Sequence, residues 1–193
     1  ITPAAYASAL YSSSDPTIGK AIAAIESDGS SNVCAAPNHG LKMAYNVLEN
    51  SAAKNEYKDG TRKAVVVFIT DGVPGNPSRS DNPNIAKIYA NGSIEWAKKI
   101  KDLGLAEIYS IYLGSDTMSG FDVDAYMSGV SSNYPNATGY PGYKDGAELG
   151  ELGTKTNYYM QVRGDVLLSK LLEDIVFDQT TSGTAVSLND KAV

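Results

Sequence analysis

KAVVVFITDGVP, residues 63 to 74, is the stretch that decides the fold of this chain. Its residues 65 to 69 form a short apolar run rich in β-branched side chains, which is typical of a strand covered on both faces. Thr70, Asp71 and Gly72 follow this run directly. The carboxylate of Asp71 is therefore predicted to lie at the carboxyl end of a central strand, where open α/β sheets bind their ligands.

Helical and strand patterns alternate along the rest of the chain, which predicts a parallel sheet with right-handed crossovers. Further strands are predicted at residues 106 to 113, where apolar residues alternate, and at 158 to 162. Helices are predicted at residues 15 to 28, around 41 to 48, and at 85 to 103, 122 to 130 and 165 to 177.

The third of these helices is expected to end at Gly104. Its buried stripe is expected to comprise Ile85, Ile88, Tyr89, Trp96, Ile100 and Leu103. The fold class that follows is α/β, with a doubly wound, mostly parallel sheet and helices on both faces. One domain is expected over residues 1 to 178, with residues 179 to 193 as a linker or the start of a following domain.

Composition and charge limit the classes of partner. The chain has 193 residues and a net charge of −6, and its isoelectric point is near 4.8. Nucleic acids and anionic membranes need a basic face, so neither is the expected main partner. No run approaches the roughly 20 apolar residues of a membrane-spanning helix. Cys34 is the single cysteine, so no internal disulfide is possible, and abundant Ser, Asn, Gly and Tyr favour an extracellular surface protein.

Four segments, in this order, resemble one protein family. VVVFITDG at 65 to 72, EIYSIYLG at 107 to 114, VSSNYPNAT at 130 to 138 and YYMQV at 158 to 162 are similar to segments of the von Willebrand factor type A domain, as found in surface and pilus-tip adhesins of Gram-positive bacteria. The resemblance runs from about residue 16 to residue 178. It implies a doubly wound fold, an extracellular location on the cell surface or a pilus, and binding of other macromolecules.

The same resemblance implies a metal site. In that family a divalent cation, usually Mg²⁺, is held by an Asp-x-Ser-x-Ser motif after the first strand, a Thr from a second loop and the Asp of the ITDG-like turn. Asp71 matches the last of these ligands, and Ser31 stands in for the Thr. Hard oxygen ligands of this kind suit Mg²⁺ or Ca²⁺.

This chain departs from the family pattern at the other ligands. No Asp-x-Ser-x-Ser occurs in it, and an alignment without an insertion places Ala35 at the Thr position. Residues 116 to 119, Asp-Thr-Met-Ser, look similar to the motif but follow the wrong strand. The three loops that contain Asp71, Ser31 and Asp116 are nevertheless expected to leave the same edge of the sheet.

The strand that carries Asp-x-Ser-x-Ser lies in the middle of the family's sheet, whereas residues 1 to 11 supply at most an edge segment. An unfilled centre would leave buried backbone groups unpaired, at roughly 1 to 3 kcal/mol each. We therefore expect a hydrophobic strand from an upstream segment or another chain to fill the sheet beside residues 65 to 69. Mg²⁺ or Ca²⁺ is expected only if that strand supplies the missing motif.

Other motifs have simpler explanations. Arg163-Gly164-Asp165 matches an integrin-recognition tripeptide, but Asp165 is placed to cap a helix. Asn91-Gly92-Ser93 and Asn136-Ala137-Thr138 fit the N-glycosylation pattern, which is frequent by chance, and are expected to be unmodified. His39, the only histidine, lies beside a helix start, where a capping or surface role is favoured over catalysis.

The sequence thus favours a non-enzymatic adhesion module of a bacterial surface or pilus-tip protein, with a host or matrix protein or glycan as ligand. The alternative is a metal-free structural domain that assembles with pilus subunits or in a surface layer. A hydrolase is the third interpretation, because one fold supports many functions. It has little support, since the chain contains no G-x-S-x-G elbow and no phosphate-binding loop.

Overall fold

The computed structural model describes residues 36–50, 64–75, 82–114, 117–162 and 170–175. In chain order they form α1 (Pro37–Asn50), β1 (Ala64–Thr70), α2 (Pro83–Asp102), β2 (Ala106–Tyr112), α3 (Val123–Val130) and β3 (Tyr159–Gln161). The chain divides into two compact units, Ile1–Gln161 and Val162–Val193. These six elements belong to the first unit, and residues 170–175 of the second are helical.

The strands form one parallel sheet in the order β1-β2-β3. β1 pairs with β2 along its whole length, from Ala64 opposite Ala106 to Thr70 opposite Tyr112. β3 is shorter and pairs with the second half of β2. Parallel neighbours need a crossover connection, and α2 and α3 lie in the two connections along the chain. The predicted α/β class and the three predicted strands are confirmed.

Local sequence signals set the ends of α2 and α3. The Asn82 side chain caps α2 by accepting a hydrogen bond of 3.0 Å from a backbone N–H two residues along, and Pro83 occupies the first helical position. After α2, Gly104 adopts a φ of 66°, the left-handed conformation that ends helices. Asp122 caps α3 through a 2.9 Å bond from the N–H three residues along. The predicted ends at Gly104 and Asp122 are confirmed.

The core surrounds β2, where residues 108 to 112 are all buried. α3 packs against this strand, and the Ser110 hydroxyl donates a 2.8 Å hydrogen bond to the Met127 carbonyl. Leu41 and Leu48 of α1 are buried, as their spacing predicts. The largest fully buried side chains are Tyr109, Tyr112, Tyr126, Ile94, Ile100, Ile108, Ile111 and Met127.

The predicted stripe on α2 is wrong in part. Ile100 is buried, but Ile88 is 46% exposed. The buried face of α2 carries mostly small residues, namely Ala86, Ala90, Asn91, Ser93 and Ala97, together with Ile94 and Ile100. The prediction followed the largest apolar side chains, whereas close packing favours small ones where neighbouring elements approach the helix.

The prediction that both faces of β1 are buried is also wrong. Val65, Val67 and Ile69 are exposed by 36%, 37% and 41%. β2, which was expected to alternate, is instead the strand that is buried on both faces. The two strands have exchanged the predicted roles because β1 lies at the edge of the described sheet and β2 at its centre. The predicted helix at residues 15 to 28 and the tail at 179 to 193 lie outside the described residues.

Candidate functional site

Asp71 lies at the carboxyl edge of the sheet, as predicted. It directly follows β1 and is exposed. The turn around it is closed by the Thr70 side chain, whose hydroxyl lies 3.4 Å from the Gly72 amide nitrogen and 3.2 Å from the Gly72 carbonyl oxygen. The loop after β2 begins beside this turn, because the Leu113 amide donates a 2.8 Å hydrogen bond to the Thr70 carbonyl.

Gly114 permits close contact between these two loops. A Cβ atom at position 114 would lie 2.2 Å from the Asp71 carbonyl oxygen and 2.7 Å from the Tyr112 ring. No side chain fits at such distances, since the first obstacle is backbone. Glycine therefore holds the ends of β1 and β2 side by side at the edge where α/β sheets bind ligands.

The other predicted members of the site, Ser31 and Asp116, lie outside the described residues. Among the residues that the structure describes, no group of three or more His, Cys, Asp or Glu side chains is placed to hold a metal ion. Asp71 is thus a single carboxylate at this edge among the described residues, whereas Mg²⁺ and Ca²⁺ require several oxygen ligands. A complete cation site would need further ligands beside Asp71.

The outer edge of β1 adjoins Asp71. Within the described ranges, β1 pairs with β2 alone, so the backbone groups along its other edge have no strand beside them. The exposed side chains on this strand are Val65, Val67 and Ile69. Proteins usually protect such edges with charges, proline or a covering element, and the sequence AVVVFIT of β1 contains no charge and no proline.

Lys101 binds the long segment that follows α3. Its Nζ donates hydrogen bonds to the carbonyl oxygens of Gly129, Ser131 and Tyr134 at 2.9, 3.1 and 2.8 Å. These three acceptors match the three donors of an ammonium group, and two of them lie at the carboxyl end of α3, where a cation is favourable. Burial lowers the pKa of Lys101 to about 7, and the nearby Lys98 charge acts in the same direction.

The VSSNYPNAT segment at residues 130 to 138 has a structural role. Ser132 exchanges two hydrogen bonds of 2.9 Å with the backbone of Ile108 in β2. The Asn133 side-chain oxygen accepts a 2.9 Å bond from the Tyr158 amide, next to β3. The segment therefore joins α3 to the sheet and is itself held by Lys101. Sequence reasoning missed Lys101, for which the only signal was a basic residue in the last turn of α2.

His39 is exposed in the first turn of α1, in agreement with its expected surface role. Asn91, the first residue of a glycosylation pattern, is buried. Its Nδ2 donates a 3.0 Å hydrogen bond to Glu95, and its Oδ1 accepts a 3.1 Å bond from the Tyr140 amide. A glycan on Asn91 Nδ2 would have to displace the groups that bury this side chain.

The second glycosylation pattern lies on the surface. Asn136 is exposed, whereas the Thr138 hydroxyl donates a 2.7 Å hydrogen bond to the Gly146 carbonyl and is engaged in the fold. The predictions for Cys34 and for residues 163 to 165 fall outside the described part of the chain.

Comparisons with protein-family models, with curated protein sequences and with solved structures find no match to this chain. Among the described helices, none is both long and apolar enough to span a membrane.

Proposed function

We propose that this chain is a non-enzymatic protein-binding module of an extracellular bacterial surface or pilus-tip protein, with a doubly wound fold of the von Willebrand factor type A kind. The observation that carries the proposal is the row of exposed apolar side chains on β1, the edge strand of the described sheet, next to Asp71. Family resemblance adds support, because three of the four resembling segments coincide with β1, β2 and β3 and their turns.

An edge of this kind suits a polypeptide partner. An extended segment can add to a sheet edge through backbone hydrogen bonds, while alternate side chains provide apolar contact. Val65, Val67 and Ile69 alternate along β1 in the register that such contact needs. Small-molecule enzymes instead use concave pockets with convergent polar groups.

Asp71 gives the edge its second feature. A strand that runs parallel to β1 ends at the same edge of the sheet as Asp71. If that strand is followed by Asp-x-Ser-x-Ser, its oxygens and the Asp71 carboxylate together form a set that suits Mg²⁺ or Ca²⁺. A metal-linked site of this type would bind a host or matrix protein or a glycan.

The alternative function is metal-free assembly. A strand without the acidic motif would cover β1 equally well and would join this chain to pilus subunits or to a surface layer. The same exposed edge supports both functions, so the response to a cation distinguishes them.

Peptide complementation tests the proposal. The probe is a short synthetic peptide of alternating Val and Thr residues that ends in Asp-Gly-Ser-Gly-Ser, and its binding is measured by calorimetry with and without Mg²⁺. We expect the peptide to bind to the chain and Mg²⁺ to strengthen the binding. Asp71→Ala is expected to remove the effect of Mg²⁺, and Val67→Lys to weaken the peptide at either Mg²⁺ level.

Ile88→Lys is the matched control, because Ile88 is an exposed apolar residue of α2 rather than of β1. It is expected to leave peptide binding unchanged. Binding that is insensitive to Mg²⁺ would favour metal-free assembly. No binding, or equal binding by the Val67→Lys variant, would refute the role of the β1 edge.

A further inference from the structure

A surface of four side chains lies where α1 packs against α2, and the proposed function does not use it. Its centre is Trp96 of α2, which is half-buried and is the single tryptophan of the chain. Lys99 Nζ lies 3.8 Å from the centroid of the Trp96 ring, and Lys42 Nζ lies 5.6 Å from it. The centroid of the Tyr45 ring is also 5.6 Å from that of Trp96. We call these four residues the Trp96 surface.

Helical spacing brings the four side chains together. Lys42 and Tyr45 are separated by three positions on α1, and Trp96 and Lys99 by three positions on α2. Side chains at this spacing occupy the same face of a helix. Each helix therefore contributes one lysine and one aromatic ring to the Trp96 surface.

The two lysines of the Trp96 surface carry positive charge that is not balanced nearby. Among the described residues, neither of them forms an ion pair, and both are exposed. Glu49, one turn after Tyr45 on α1, interacts instead with the Tyr45 hydroxyl and raises the pKa of that group. A cation over an exposed ring is held weakly, so an anionic ligand can draw the ammonium groups away from the ring. The indole then becomes free for contact with the same ligand.

We propose that the Trp96 surface binds a short stretch of an anionic polysaccharide, whose sugar rings carry carboxylate or sulfate groups. Each ammonium group pairs with one anionic group, and the flat indole packs against the apolar C–H face of a sugar ring. The lysines thus attract the ligand, whereas the indole distinguishes a sugar from an acidic peptide, which has no such face.

The charge of the whole chain limits the ligand further. A net charge of −6 opposes a dense polyanion that extends beyond the two lysines. A nucleic acid carries a phosphate on every nucleotide, whereas a polysaccharide can carry its charged groups on alternate sugars. Two ammonium groups in an acidic chain therefore match the sparser charge of the polysaccharide.

Fluorescence of Trp96 reports directly on this surface, because the chain has no other tryptophan. The full chain is titrated with carboxymethyl dextran, dextran sulfate and uncharged dextran of the same length, at low ionic strength, where charges are least screened. Both charged dextrans are expected to bind and to change the fluorescence, whereas uncharged dextran is expected to do neither. Calorimetry measures the affinities. The double variant Lys42→Gln, Lys99→Gln is expected to bind the charged dextrans about tenfold more weakly.

Lys87→Gln, Lys155→Gln is the matched control, because it removes the same charge from two lysines other than those over the Trp96 ring. It is expected to bind as the wild type does. No binding of the charged dextrans, equal weakening by the two double variants, or an unchanged fluorescence would overturn the inference. Equally tight binding of polyglutamate or of an oligothymidylate would overturn the assignment to a polysaccharide. These outcomes concern α1 and α2 and leave the proposed function of β1 to its own test.

Discussion

Replacement of Lys101 by methionine tests whether one buried ammonium fastens α3 and the segment after it to α2. Methionine keeps most of the apolar stem but has no donor, so the carbonyls of Gly129, Ser131 and Tyr134 lose their partner. A buried acceptor left without a partner costs roughly 1 to 3 kcal/mol. Burial of the lysine charge offsets part of this, so the lower end applies, and the three carbonyls give a loss of about 3 kcal/mol.

The pH dependence has a definite sign. Burial lowers the pKa of Lys101 from 10.5 to about 7 in the folded chain, so the unfolded chain binds more protons between these two values. Stability rises with pH wherever the unfolded state binds more protons. The wild type is therefore expected to gain stability from about pH 7 towards pH 10, and Lys101→Met is expected to lack this contribution.

Urea unfolding followed by the fluorescence of Trp96, the single tryptophan, measures both effects. A loss of about 3 kcal/mol corresponds to a fall in melting temperature of roughly 6 to 12 °C in a chain of this size. Lys98→Met is the matched control for the loss at neutral pH, since Lys98 forms an exposed ion pair with Asp102 and such pairs contribute less than about 0.5 kcal/mol. The Lys98 charge also lowers the pKa of Lys101, so the pH slope of Lys101→Met is compared with that of the wild type. Equal stability of the two variants, or an unchanged pH slope in Lys101→Met, would refute the reasoning.

Two further substitutions test packing. Gly114→Ala is expected to lower the free energy of unfolding in urea by about 3 kcal/mol, because the new methyl group would lie 2.2 Å from the Asp71 carbonyl oxygen. Gly40→Ala is the control, because Gly40 is helical and a Cβ there meets nothing within 4 Å. It is expected to stabilise the fold by about 0.5 to 1 kcal/mol. A loss below about 1 kcal/mol for Gly114→Ala would contradict the close contact. Tyr126→Phe is expected to change stability by less than about 1 kcal/mol at neutral pH, because the buried hydroxyl has only a weak interaction with the Ser93 side chain. Burial raises the pKa of Tyr126, so the variant is expected to gain stability relative to the wild type above about pH 10, and a loss of more than about 2 kcal/mol at neutral pH would show a strong hydrogen bond to Ser93.

Local signals in the sequence determine where helices and strands begin and end, but not which elements pack beside them. The helix start at Asp122 and the helix end at Gly104 were predictable because each depends on a local residue type. The position of β1 at the edge of the described sheet was not predictable, since an apolar run has the same sequence pattern whether one or two strands lie beside it. Lys101 was missed for a similar reason, because its three carbonyl partners lie 28 to 33 residues away along the chain.

The candidate site was predictable to the same limited extent. The pattern of an apolar strand followed by Thr-Asp-Gly places Asp71 at the carboxyl edge from local information alone. The contact of Gly114 with the Asp71 carbonyl joins two segments that are far apart in the sequence, and no local pattern encodes it.

A single partner strand would both pair with β1 and bring cation ligands to Asp71 only if it ran parallel to β1. In a parallel arrangement, the carboxyl end of the partner would lie beside Asp71, so a terminal Asp-x-Ser-x-Ser could share a cation with Asp71 while the preceding residues place side chains next to Val65, Val67 and Ile69. An antiparallel strand would lie next to the same side chains but carry that motif to the opposite edge. A peptide with the motif moved to its amino terminus is therefore expected to bind β1 without any effect of Mg²⁺. Equal Mg²⁺ dependence of the two peptides would show that Asp71 and the β1 edge do not act as one site.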